Sequence, residues 1–143
     1  IMRYYFDTSI WIDLFQDRVE EGFPKGLRAQ QLLTRILSRN YRIIVSQVIQ
    51  KELFSCGYSF EEVQKLFRPL KRIIQVQHCS REHLERARNI AKKRNVPQKD
   101  VLHALLSKTA RATLITRDNH FQKLLDITIP STPEELLDTE LAL

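Results

Sequence analysis

The sequence predicts a three-layer α/β/α domain with a mainly parallel sheet of about five strands. Three observations carry that expectation. Short apolar runs alternate with apolar-faced amphipathic segments from Met2 almost to the last residue, which is the order of successive β-α-β units. The runs are near-continuous in apolar residues, as strands covered on both faces are. At 143 residues, 43% hydrophobic and 28% charged, the chain has room for one domain with a sizeable core, so residues 1–143 read as a single unit without repeats or low-complexity segments.

Met2 and the aromatic run Tyr4, Tyr5, Phe6 end abruptly at Asp7 and read as a first strand feeding a helix through Thr8 and Ser9. Ile10, Trp11, Leu14 and Phe15 give that helix more apolar surface than it needs alone, so it faces either the core or a second copy of the chain. A charged stretch with Gly and Pro, Asp17 to Gly26, follows. Leu27, Leu32, Leu33, Ile36 and Leu37 then recur at helical spacing, and Ile43 to Val45 make a second strand. Ser46 caps a helix carrying Val48, Ile49, Leu53 and Phe54. A helix from Ser59 to Phe67 stops near Pro69, before a third apolar run at Ile73, Ile74 and Val76. Ser80 opens a helix that ends around Asn95, and Pro97 opens the most apolar one, through Val101, Leu102, Ala104, Leu105 and Leu106. Ala112 to Thr116 is a fourth strand, Phe121 to Leu125 a short helix, and Ile127 to Ile129 an edge strand. Thr132, Pro133 and Glu135 begin a last helix with a capping box.

Lys and Arg outnumber Asp and Glu by 23 to 17, a net charge of +6, which favours polyanionic partners, nucleic acid first among them. Cys56 and Cys79 are the two cysteines. Without a CxxC pair or a His at ligand spacing, they suggest neither a disulfide framework nor a zinc site. No apolar run reaches membrane-spanning length and no leader pattern opens the sequence, so a cytoplasmic protein without membrane contact is expected.

Against that basic background, Asp7, Glu52 and Asp118 each follow a strand, at or just past its carboxyl end, where ligands of open α/β sheets bind, and Asp100 falls on a helix start that immediately precedes such a strand. Each has an innocent explanation. Asp7 and Asp118 could each cap a helix, Asp100 sits in the first turn of one, and Glu52 shares the stripe of Val48 and Ile49 and could pair with an Arg. The innocent explanations do not account for this joint placement. Converging carboxylates repel and need a countercharge, usually a hard divalent cation held through oxygen.

The segments YYFDTSIWID, VSQVIQKEL and VPQKDVLHALLSKTARATLITRDNHF, together with the overall size, resemble the PIN domain family, in particular the small ribonuclease toxins of the VapC type. The likeness covers essentially the whole chain. It implies a PIN-like fold, and it implies that Asp7, Glu52, Asp100 and Asp118 are an acidic quartet serving Mg²⁺ or Mn²⁺. Ser9 and Thr116 match supporting hydroxyl positions, and Asn119, which follows the last Asp, is counted with them as an assisting side chain. The likeness further implies a metal-dependent endoribonuclease, a homodimer and a cognate antitoxin. In two-metal logic Asp7 and Asp100 would be inner ligands of a first ion, Asp118 would complete or share a second, and Glu52 would position or deprotonate the attacking water.

Arg117 and Lys99 flank two of the acids, and are either contacts for the scissile phosphate or solvated countercharges. Arg86, Arg88, Lys92, Lys93 and Arg94 form a solvated helix face that could also track RNA. His103 shares a helix side with Asp100 but reads as a half-buried edge residue, and His120 as a surface one. Two other functions remain open. One is a phosphoaspartyl receiver or phosphatase, although Ser9 stands where the phosphatase expects a second Asp. The other is a catalytically idle PIN-like module that binds RNA or protein.

Overall fold

Tyr4, Tyr5 and Phe6 are buried to within 2% of their surface, which makes β1 (Arg3–Phe6) the centre of the sheet. The structure, a computed structural model, describes residues 1–141. After β1 come α1 (Thr8–Gln16), α2 (Lys25–Ser38), β2 (Arg42–Ser46), α3 (Gln47–Ser55), α4 (Phe60–Phe67), β3 (Ile74–Gln77), α5 (Arg81–Arg94), α6 (Gln98–Thr109), β4 (Thr113–Ile115) and α7 (Pro133–Leu141). All pairings are parallel and the strand order is β3-β2-β1-β4, with Tyr5 in register with Ile44 on one side and Leu114 on the other. The domain is thus a three-layer α/β fold. The chain moves outward from β1 to β2 and β3, then returns to place β4 on the opposite flank of β1. That reversal opens a crevice at the carboxyl ends of β1 and β4.

Local chemistry explains where the helices begin. Ser46, Ser59 and Ser80 cap α3, α4 and α5 through their hydroxyls, and Asn95 closes α5 in the left-handed conformation. The surplus apolar face of α1 lies in the core. Trp11 sits 5.1 Å from Phe6 and 4.8 Å, edge to face, from Phe67, an arrangement that adds to burial alone. Cys56 and Cys79 are both free.

Two features differ from expectation or extend it. The sheet has four strands among the described residues, and Ile127 to Ile129 is not one of them. Ile127 N and Thr128 N turn back to Leu124 O, and Pro130 has no N–H to give a ladder. What remains of a fifth strand is Ser131, whose N–H donates to Leu114 O and whose carbonyl accepts from Thr116 N. The Asp17 to Gly26 stretch is the joint between α1 and α2, closed by a Glu20 to Phe23 bridge and by Gly26 N donating to Arg18 O.

Candidate active site

Asp7 follows the last residue of β1 and caps α1: its Oδ1 accepts from Ile10 N at 3.1 Å and from Ser9 Oγ at 2.6 Å. Its Oδ2 accepts from Thr116 Oγ1 at the end of β4. Capping and a place in the acidic group are therefore compatible in one side chain. The same Thr116 oxygen accepts from Asp118 N at 3.0 Å, so one hydroxyl ties the first acid to the last. Asp118 in turn caps the 3-10 turn Asn119–Leu124, accepting from His120 N at 2.8 Å.

Asp100, buried in the first turn of α6, meets Asp118 across an imidazole. His120 Nδ1 lies 3.1 Å from Asp100 Oδ2 and 3.1 Å from Asp118 Oδ1. One ligand atom from each of these three residues falls within 4.8 Å of the others. His120 remains 55% exposed, so it bridges the two acids from the solvent side. It is the surface residue expected, and its contact with both acids is what the sequence did not show.

Glu52 approaches from α3 and is held by His103 of α6, with Oε1 and Nε2 2.5 Å apart. His103 is 2% exposed and not the half-buried edge residue expected. It also acts through space on Asp7 and Asp100, lowering both carboxyls. Ser46 and Tyr5 complete this arrangement, and nothing in their local sequence announces it.

Burial and repulsion set the carboxyl chemistry. Burial pushes the Asp7 carboxyl above its usual range, against hydrogen bonds from Ser9 and Thr116. Burial also pushes Asp100 up, and the neighbouring Asp118 adds to it. Burial acts in the same sense on Glu52, but the His103 hydrogen bond and charge, with Lys99, outweigh it and leave that carboxyl low. The site thus holds one easily ionised carboxylate beside two that resist ionisation without a nearby cation.

Lys99 is exposed and its charge falls on Glu52. Arg117 is placed otherwise than expected for a phosphate contact. Its guanidinium lies 2.6 Å from Glu134 of α7 and 4.0 Å from the buried Asp13, and stacks 5.6 Å from the Phe23 ring. Arg117→Met is therefore expected to destabilise the fold by about 1–3 kcal/mol. Burial raises the Asp13 carboxyl, and Arg117 is the first of the cations that oppose this. Without Arg117 the Asp13 pKa climbs further, so the deficit is largest at neutral pH and closes as pH falls through the folded pKa of Asp13. Thermal melts at several pH values check this, and a deficit that widens in acid would show that Asp13 is not the cause.

Asn119 is exposed and helps line a polar cavity of about 160 Å³ with Asp118, Gln122, Ser131 and Thr132. A larger hollow, about 750 Å³, lies between α2 and α7, on helices that carry none of the four acids.

A family model described as PIN domain matches residues 4–125. No curated protein sequence matches the chain. Among solved structures, the chain is similar to a toxin-antitoxin complex from Klebsiella pneumoniae, at 21% identity and TM-score 0.64 over 91% of this chain and 97% of that one. It is similar to VapBC2 from Rickettsia felis bound to a promoter DNA fragment, at 16% identity and TM-score 0.66 over 92% and 98%. It also resembles VapBC-1 from nontypeable Haemophilus influenzae, at 21% identity and TM-score 0.64 over 93% and 99%. At these identities the likeness is one of fold.

Proposed function

This chain belongs to the PIN domain family, and from that premise we propose that it is a metal-dependent endoribonuclease, the toxin of a toxin-antitoxin pair. The observation that carries the proposal is the acidic group at the crevice: Asp100 and Asp118 within 4.8 Å ligand reach, and Asp7 joined to Asp118 through Thr116. The donor set fits a hard divalent cation. It offers carboxylate oxygens, two of them on groups that burial pushes up in the absence of a cation.

Asp7, Asp100 and Asp118 would hold Mg²⁺ or Mn²⁺. When bound, a divalent ion in such sites supplies a Lewis acid that polarises the phosphate and eases deprotonation of water. Glu52, kept ionised by His103, is the base that receives the water's proton. Ser9 and Thr116 hold Asp7 in its rotamer, and Asn119 lies on the cavity wall beyond Asp118. Lys99 supplies positive charge beside Glu52. Arg81, Arg86, Arg88, Lys92 and Lys93 are exposed on α5, which packs on the helix bearing Asp100. They give an RNA backbone a surface to follow that the acids themselves repel.

One of the similar structures is a toxin-antitoxin complex, and by that likeness we assign this chain a cognate antitoxin whose basic segment enters the acidic crevice, together with a homodimer. No helix among the described residues is long and apolar enough to cross a membrane, and a cytoplasmic place suits an enzyme acting on RNA.

The test is cleavage of RNA by the purified chain with Mg²⁺ or Mn²⁺ and its arrest by EDTA. The same ions are expected to raise the thermal midpoint, since ligand at about 100 times Kd stabilises by about 2.7 kcal/mol. Cleavage that persists in EDTA would sink the metal-dependent mechanism. RNA binding without cleavage would favour an idle binding module.

A further inference from the structure

Ser46, Tyr5, His103 and Glu52 form an unbroken hydrogen-bonded row. Ile49 N donates to Ser46 Oγ at 3.4 Å, and Ser46 Oγ lies 2.8 Å from Tyr5 Oη. Tyr5 Oη lies 2.8 Å from His103 Nδ1, and His103 Nε2 lies 2.5 Å from Glu52 Oε1. Ser46, Tyr5 and His103 are all buried. The row begins at Ser46, the last residue of β2 and the cap of α3, runs through β1 and α6, and ends at Glu52 on the second turn of α3.

One proton can be assigned from bonding capacity. A carboxylate only accepts, so the hydrogen of the last bond sits on His103 Nε2. Ser46 Oγ accepts from Ile49 N and shares a second hydrogen bond with Tyr5 Oη. Tyr5 Oη in turn shares one with His103 Nδ1, so both ring nitrogens of the buried imidazole are partnered.

A histidine that merely fills a core needs two satisfied ring nitrogens and no particular carboxylate. Here the second nitrogen is spent on Glu52, an acid outside the Asp100, Asp118 and His120 group. We infer that Tyr5 and His103 are positioning residues, which fix Oε1 of Glu52 so that Oε2 is presented to the water attacking the phosphate. The inference rests on the nuclease proposal, and it extends the machinery to the central strand of the sheet.

The test combines single-turnover RNA cleavage with nitrogen-15 spectra of the imidazoles in metal-free protein. Tyr5→Phe keeps the aromatic body in the core and removes one donor. It is expected to lower kcat about 10-fold with KM within about 2-fold, because misplacing a reacting group acts on the transition state. In a Glu52→Gln background the same substitution should cost nothing further, since both act through one carboxylate. His103→Gln should behave as Tyr5→Phe does. In the spectra, His103 should carry its hydrogen on Nε2, and Glu52→Gln should move that resonance while Tyr5→Phe moves the Nδ1 signal. Losses that multiply in the double variant, or an Nε2 signal indifferent to Glu52→Gln, would overturn the inference. A wild type inert toward RNA would overturn the nuclease proposal and the positioning role together, and an Nε2 signal that still follows Glu52→Gln would show the hydrogen-bonded row to be intact in that case.

Discussion

Asp100→Asn is expected to lower RNA cleavage by two or more orders of magnitude and, in metal-free protein at neutral pH, to raise the thermal midpoint by a few degrees. The two effects share a cause. Asp100 is buried and sits beside Asp118, and both facts push its carboxyl above the usual range. A folded pKa above the unfolded one means that the residue's stabilising contribution is complete only below the unfolded value. It is lost as pH rises through the folded value. At pH 7 the ionised side chain therefore works against the fold, and an amide of the same shape relieves it. The gap between variant and wild type should close as the solution is made acid. Saturating Mn²⁺ should reverse the order, because wild type alone gains the full binding energy of the ion. The measurements are thermal melts with and without Mn²⁺ at two pH values, beside cleavage rates. Wild-type rates from Asp100→Asn would move the chemistry away from this crevice.

Gly26→Ala is expected to have the largest effect on stability. A Cβ at Gly26 would lie 2.5 Å from Asp17 Cα, 2.6 Å from Asp13 O and 2.8 Å from Arg18 N. All three are backbone atoms, so no rotamer change relieves the contact. Overpacking typically costs 1–3 kcal/mol, and an immovable neighbour puts this case at about 3 kcal/mol or more. The higher helix propensity of Ala returns at most about 1 kcal/mol and does not decide the sign. For a domain of this size the thermal midpoint should fall by roughly 10 °C. Urea unfolding checks it, and an unchanged midpoint would mean that α1 and α2 separate at their joint without penalty.

Much of the fold is legible locally because its signals are local. The aromatic run of β1 can only be a buried strand, and Ser46, Ser59 and Ser80 announce helix starts through their own hydroxyls. Ile127 to Ile129 misleads because its apolar run looks like a strand, while Pro130 and a turn onto Leu124 deny it a ladder; Ile129 ends 76% exposed. The candidate site divides the same way. Asp7 and Asp118 can be picked out just past strand ends and Asp100 at a helix start, and the hydroxyls that support Asp7 lie in the same short motifs. Arg117 cannot be placed from its neighbourhood, since the groups that claim it, Asp13 and Glu134, belong to α1 and α7. His103 is similar. Its spacing from Asp100 fixes a helix face, but its partners lie 98 and 51 residues away, at Tyr5 and Glu52.

The hydroxyl of Thr116 reaches back across 109 residues to Asp7, and β4 is the last strand to join the sheet. On a ribosome, β1, β2 and β3 emerge and can pair in order of synthesis, since each docks beside its predecessor. The flank of β1 that receives β4 stays bare until Thr113–Ile115 has been made. Until then Asp7 lacks the hydroxyl from β4, and Asp100 lacks Asp118 and His120. A nascent chain that has not reached β4 therefore has three strands and no assembled acidic group, and the proposed metal site can form only once Thr116, Asp118 and His120 have emerged.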